Sequence, residues 1–158
     1  MLVTNHVLSG AVIGAAARRR PASAFVLGVL SHFALDAVPH WGNWNGRPSF
    51  MQVAVPDGLV GLAFMGTMAA IAPRDARLAV VAGMAGAALP DLDKPAMLWF
   101  GRSPWPRVVD YIHVHIQREA PHRLKHELAV AAVCFAAAVA LLRGPWKISP
   151  PAAAAVSQ

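Results

Sequence analysis

The stretch SHFALDAVPH, residues 31–40, sets His32 and Asp36 four residues apart in an otherwise apolar run. On a helix that spacing brings both side chains to one face. There an imidazole and a carboxylate either grip a metal ion or hold one another in a packing contact, and for this pair alone both readings stay open. His40, just past Pro39, either reaches the same place from a turn or faces an interface beside Trp41. LPDLDKP, residues 89–95, offers Asp91 and Asp93 after a small-residue run. Two carboxylates there can catch a cation at a helix end, or one of them can cap a turn. His115 and Glu119 form an HxxxE pair, while PHRLKHE puts His122 and His126 four apart as HxxxH with Glu127 alongside. HxxxH is a zinc-binding spacing on a helix, although Arg123 stands where its better-known form carries a glutamate. Asp57 follows Pro56 near the expected start of a helix, where capping explains it.

Imidazoles and carboxylates without thiols favour zinc, one ion or more, with manganese as the alternative. A metal held this way acidifies a bound water so that it can attack an ester or phosphoester. Arg118, Arg123 and Lys125 are near in sequence to hold an anionic group. The expected ligands are His6, His32, Asp36, Asp91, Asp93, His115, His122 and His126, with Glu119 and Glu127 as catalytic carboxylates.

These residues need a scaffold that gathers them. Five apolar stretches rich in Ala, Leu, Val and Gly, at 4–17, 22–38, 53–72, 76–90 and 127–142, read as helices. Arg-Arg-Arg-Pro at 18–21, HWGNWNGRP at 40–48, PRDAR at 73–77 and RGPWK at 143–147 separate them. If they run up and down, all seven histidines and every acid but Asp75 fall at one end of the bundle. That convergence raises short, individually weak motifs into a candidate site, because ionisable groups at membrane depth are costly and usually functional. Residues 107–120, RVVDYIHVHIQREA, alternate as a strand would but also fit a helix. A lone strand would have no sheet to join, so the expectation is a helix ended by Pro121, with His115 and Glu119 on its apolar face and His113 pointing elsewhere.

Composition sets the environment. Of 158 residues, 56% are hydrophobic and 14% charged, against about 25% charged in soluble domains, so an all-α bundle of about five helices embedded in a membrane is expected. A single domain over residues 1–147, a disordered tail at 148–158 and the lipid bilayer as partner follow. A spanning helix needs about 20 residues, which the second and third stretches reach and the other three do not. The net charge of +6 comes from scattered or juxtamembrane clusters such as Arg18, Arg19 and Arg20, a pattern of membrane anchoring and not of nucleic-acid binding. Trp41, Trp44, Trp99 and Trp105 would anchor the polar end at the interface. The loops at the other end carry seven basic residues and one acid, so the positive-inside rule puts the cluster outside the cytoplasm. Cys134 stands alone in an apolar run, so neither an internal disulfide nor a thiolate metal site is expected. Thr4, Asn5 and His6 interrupt the first stretch and no charged region precedes it, which argues against a cleaved signal peptide and for a chain beginning near Met1.

The elements TNHV with His6, SHFALD with His32 and Asp36, and LPDLD with Asp91 and Asp93 resemble those of the bacterial inner-membrane-associated metal-dependent hydrolases. HRLKH at 122–126 stands where that family has a slightly longer His-containing element, and SHFALD here precedes LPDLD where the family has the reverse order. The resemblance, over about residues 1–127, implies a multi-pass protein of the bacterial inner membrane with a hydrolytic metal centre. More distantly the HxxxD and HxxxE pairs look like those of zinc-dependent phospholipase C, with His115 and Glu119 as the second pair, which implies a lipid or other anionic phosphoester as substrate. The rival expectation is a metal-binding or transport protein of the membrane without hydrolytic activity; a structural protein without metal is a third.

Overall fold

The computed structural model describes residues 1–42 and 47–144, which fold as an all-α bundle. The expected tail at 148–158 and Trp44 lie outside the described residues. Among the described residues seven helices follow in order: α1 Val3–Ala17, α2 Pro21–Asp36, α3 Arg47–Ile71, α4 Arg74–Ala88, α5 Asp93–Phe100, α6 Arg107–Ile116 and α7 Leu124–Arg143. The five expected apolar helices are α1 to α4 and α7, the helix expected over 107–120 is α6, and the short α5 is additional.

Local chemistry accounts for most boundaries. Pro21 opens α2 at its first position, where the missing N–H costs nothing. Gly101, at φ 68°, stops α5 in the left-handed conformation, and its N–H bonds the Met97 carbonyl at 3.2 Å. Two boundaries differ from expectation. Helix α3 begins at Arg47 and runs through Pro56, so Asp57 lies inside it and caps another helix instead: its carboxylate accepts from the backbone N–H of Val3 at 2.6 Å and Thr4 at 3.2 Å, at the start of α1. Helix α6 ends at Ile116 with Gln117 extended, and Pro121 holds Ala120 extended as well. Glu119–Ala120 (β2) then pairs in parallel with His40–Trp41 (β1), a two-residue ladder that supplies the partner a strand there requires.

Helix α4 packs against both α1 and α2, and α1 also meets α3 and α7. The core between them is small side chains with a few larger ones, among them Val7, Met68, Val80 and Met84. Close approach depends on Gly83, where an added Cβ would lie 2.3 Å from the Gly10 carbonyl oxygen on α1. From the other side, a Cβ on Gly28 of α2 would lie 2.4 Å from the Gly83 oxygen. Three helices thus meet backbone to backbone, the packing that small residues permit between apolar helices.

Among the described residues two helices are long and apolar enough to cross a membrane: Phe50–Ile71 within α3, and α7 with the turn before it, Pro121–Arg143. Both are mostly unburied within the fold, with Leu59, Leu62, Leu128 and Val133 all exposed. The second apolar stretch, expected to be long enough, forms α2 of 16 residues, about 24 Å at 1.5 Å per residue and short of a hydrocarbon core of about 30 Å. The fifth, expected to be too short, is the longer one because its helix begins before Glu127.

Candidate metal centre

Four elements meet at the end of the bundle where α1 starts and α2 ends. Asp36, on the last turn of α2, is buried at the centre. Its Oδ1 accepts from the Met1 nitrogen at 2.6 Å and lies 3.2 Å from His6 Nε2. Its Oδ2 lies 3.3 Å from His32 Nε2, one turn back on α2, and 3.2 Å from His113 Nε2 on α6. Asp91, in the 3-10 turn Leu89–Leu92 after α4, brings Oδ1 to 3.6 Å from His113 Nε2 and 4.0 Å from His32 Nε2. His6 stacks on His32 with ring centroids 3.9 Å apart. His6, His32 and Asp36 form one set of donors compact enough for a metal ion, and His32, Asp91 and His113 a second that shares His32.

The outward nitrogens fix the tautomers. His32 Nδ1 lies 2.7 Å from the Ala87 carbonyl, which only accepts, so Nδ1 carries the hydrogen. His113 Nδ1 likewise donates to Asp93 Oδ2 at 3.0 Å, the carboxylate to imidazole relay that orients metal-binding histidines. Both Nε2 atoms therefore present lone pairs inward, yet they stand 3.0 Å apart. Two lone pairs at that separation repel unless a cation, a proton or a metal ion, lies between them. His6 has no hydrogen bond on either buried nitrogen, and Asp36 Oδ2 has none either. Unpaired buried polar atoms are expensive, and a shared cation would satisfy them together. Nitrogen and oxygen donors of this kind suit zinc or manganese.

Charge is balanced at the margin by Lys94, whose ammonium contacts Asp91 Oδ1 and lies 3.8 Å from Asp93 Oδ1. Burial raises the Asp91 carboxylate, but the Lys94 ammonium with the His6 and His32 imidazoles outweighs it and holds Asp91 down at about 2. Burial would lower Lys94, yet Asp91 and Asp93 raise it. For His113, burial pulls down while the Asp36 and Asp93 carboxylates beside it together pull up more strongly, and the imidazole is pushed up to about 9. Without a metal, a proton on His113 is the cation the geometry calls for.

Of the residues expected as ligands, His6, His32, Asp36 and Asp91 meet here, and Asp93 acts through His113. Three others do not. His115 is exposed, bonds the Tyr111 carbonyl on its own helix and stacks on the Tyr111 ring. His122 and His126 are exposed, and the HxxxH spacing fails because His122 sits in the 3-10 turn before α7, not on the helix with His126. The HxxxE pair fails similarly, since Glu119 lies beyond the end of α6. Glu119 instead brings Oε1 to 3.8 Å from the buried His40 Nε2, so His40 faces inward at the ladder and not outward with Trp41. Glu127 is buried, and its carboxylate accepts from Leu2 N, Asn5 Nδ2 and Trp41 N. Those bonds clamp α7 to α1 and leave the catalytic role expected of Glu127 without support. His113 is the residue that sequence reasoning turned away from the site; the signal for it is the row Val109, Asp110, His113, Ile116, the less exposed side of α6.

Comparison with the models of known protein families, with curated proteins and with solved structures gives no match to this chain, so the candidate centre rests on its own geometry.

Proposed function

We propose that this chain is a membrane-embedded metal-dependent hydrolase of the bacterial inner membrane, acting on a phosphoester or ester, with a lipid as the fitting substrate. The observation that carries the reading is the convergence of two lone-pair nitrogens, His32 Nε2 and His113 Nε2, on the Asp36 carboxylate with Asp91 beside them. His32, Asp36, Asp91 and His113 would hold zinc, or manganese in its place, with His6 on the far oxygen of Asp36. Bound there, the metal supplies a water whose pKa falls to about 7. The protein's own part is to fix the ligands. Ala87 and Asp93 hold the two imidazoles by their outer nitrogens, and the packing of α1, α2 and α4 leaves His6, His32 and Asp36 buried. Asp91, Asp93 and Lys94 are the partly exposed members, which gives the cluster one open side, the arrangement a hydrolytic site needs and a through-going carrier does not. The apolar exteriors of α3 and α7 support placing the bundle in a bilayer.

The test is metal analysis of detergent-purified protein, with hydrolysis of phosphodiester and carboxyl-ester probes followed before and after chelation. We expect zinc or manganese in the wild-type chain, its loss in Asp36→Ala, and activity that disappears with the metal and returns on adding it. A chain that holds no divalent metal even after equilibration with zinc refutes the reading.

A further inference from the structure

Among the described residues, Lys94 is the one lysine or arginine whose charged group lies within ion-pair distance of the cluster's carboxylates. It sits at the margin: its side chain is 34% exposed, against 12% for Asp91, 1% for His113 and none for His32. A single oxygen, Asp91 Oδ1, touches the ammonium and lies 3.6 Å from His113 Nε2, so Lys94 stands one carboxylate oxygen away from the converging nitrogens. A solvent-facing ammonium that only neutralised a surface acid would contribute little. Here the formal charges matter more. Asp36, Asp91 and Asp93 contribute three negative charges, which a divalent ion and the Met1 ammonium on Asp36 Oδ1 together match. The charge of Lys94, on the open side, is then left for an approaching anion.

We propose that Lys94 is the anion-recognition residue of this site, its ammonium taking a negatively charged phosphoryl oxygen of the substrate, so that the substrate class is an anionic phosphoester and not a neutral carboxyl ester. The inference rests on the metal-centre reading above. Once a metal shares the charge of Asp91, the ammonium's hold on that carboxylate weakens, and Lys94, on the first turn of α5, can turn to an incoming oxygen as a compact point charge with three donors.

The experiment uses the full chain in detergent, loaded with zinc and freed of excess metal. Inorganic phosphate binding is followed by phosphorus NMR line broadening, and zinc content is measured on the same samples. Wild type is expected to bind phosphate, Lys94→Met to bind it at least tenfold more weakly with zinc content unchanged, and Lys94→Arg to keep most of the binding. In parallel, Lys94→Met should slow an anionic phosphodiester probe at least tenfold, and Lys94→Arg should keep most of that rate. Phosphate binding equal to wild type in Lys94→Met overturns the proposal, as does a zinc-loaded wild type that binds no phosphate. Loss of zinc from Lys94→Met also overturns it, because Lys94 would then be a support for Asp91. Absence of zinc from the wild-type chain is a different failure, that of the metal centre itself.

Discussion

Replacing Asp93 by Asn tests the inner logic of the cluster, because it keeps the side chain's size and removes only its charge. Asp93 touches no lone-pair nitrogen; it acts through the 3.0 Å hydrogen bond from His113 Nδ1. Losing such an orienting carboxylate typically costs 10- to 100-fold in metal affinity. At about 1.4 kcal/mol per factor of ten that is about 1.4 to 2.8 kcal/mol. His113→Ala should cost more, since it removes a donor whose Nε2 lies within 3.2 Å of Asp36 and 3.0 Å of His32. His115→Ala should cost nothing, since His115 bonds only its own helix and Tyr111. The assay is competition for zinc against a chromophoric chelator in detergent, with helix content checked by circular dichroism. The expected ranking runs from wild type and His115→Ala, through Asp93→Asn, to His113→Ala. If His115→Ala sheds zinc while His113→Ala retains it, the phase of α6 and the site built on it are both wrong.

Zinc affinity measured the same way should rise with pH, by up to tenfold per unit below pH 9, and level off above it. The metal needs neutral His113, and that imidazole keeps its proton up to about pH 9 in the metal-free chain; a flat profile from pH 6 to 9 would contradict this. Gly83→Val should lower the thermal midpoint sharply or prevent folding, because its Cβ would meet the Gly10 oxygen at 2.3 Å and overpacking costs about 1 to 3 kcal/mol or more. Gly58→Ala in α3, where nothing lies within 4 Å, should be neutral or stabilising by about 0.5 to 1 kcal/mol, and thermal melts of the two variants side by side decide it. Asp57→Ala should destabilise by about 0.5 to 2 kcal/mol through loss of the cap on α1, with zinc content unchanged; denaturant titration in mixed micelles reads the first and metal analysis the second.

The sequence was most legible where punctuation and periodicity agreed. The apolar runs gave α1, α2, α4 and α7 to within a few residues, and the up-and-down argument gathered His6, His32, Asp36, Asp91 and Glu127 at one end before any distance was known. It failed at α6 for a physical reason. Reading Val108 and Ile112 as the inward face assumes that apolar means buried, yet both are exposed, as are Tyr111 and Val114, while His113 turns in. In a chain whose exterior is as apolar as its core, polarity no longer separates inside from outside, and the polar row becomes the better guide to what is buried. Two acids misled in another way. Glu119 and Glu127 looked interchangeable with the site's carboxylates, but Glu127 holds backbone and amide donors at the start of α1 and Glu119 faces His40. Which acid meets which donor depends on contacts between residues more than 50 positions apart, and spacing within a motif carries no information about those.

The contact of Gly10, Gly83 and Gly28 bears on the order of assembly. Three helices that meet backbone to backbone need no polar group to find their register, since only at the glycines can they approach so closely. The packing that presents His6 and His32 is thus set by the glycine contacts of α1, α2 and α4, unlike small zinc modules whose chain is unstructured until the metal arrives. On the proposed reading, an ion would be a late addition to a framework already assembled, and a chain without it would keep its fold.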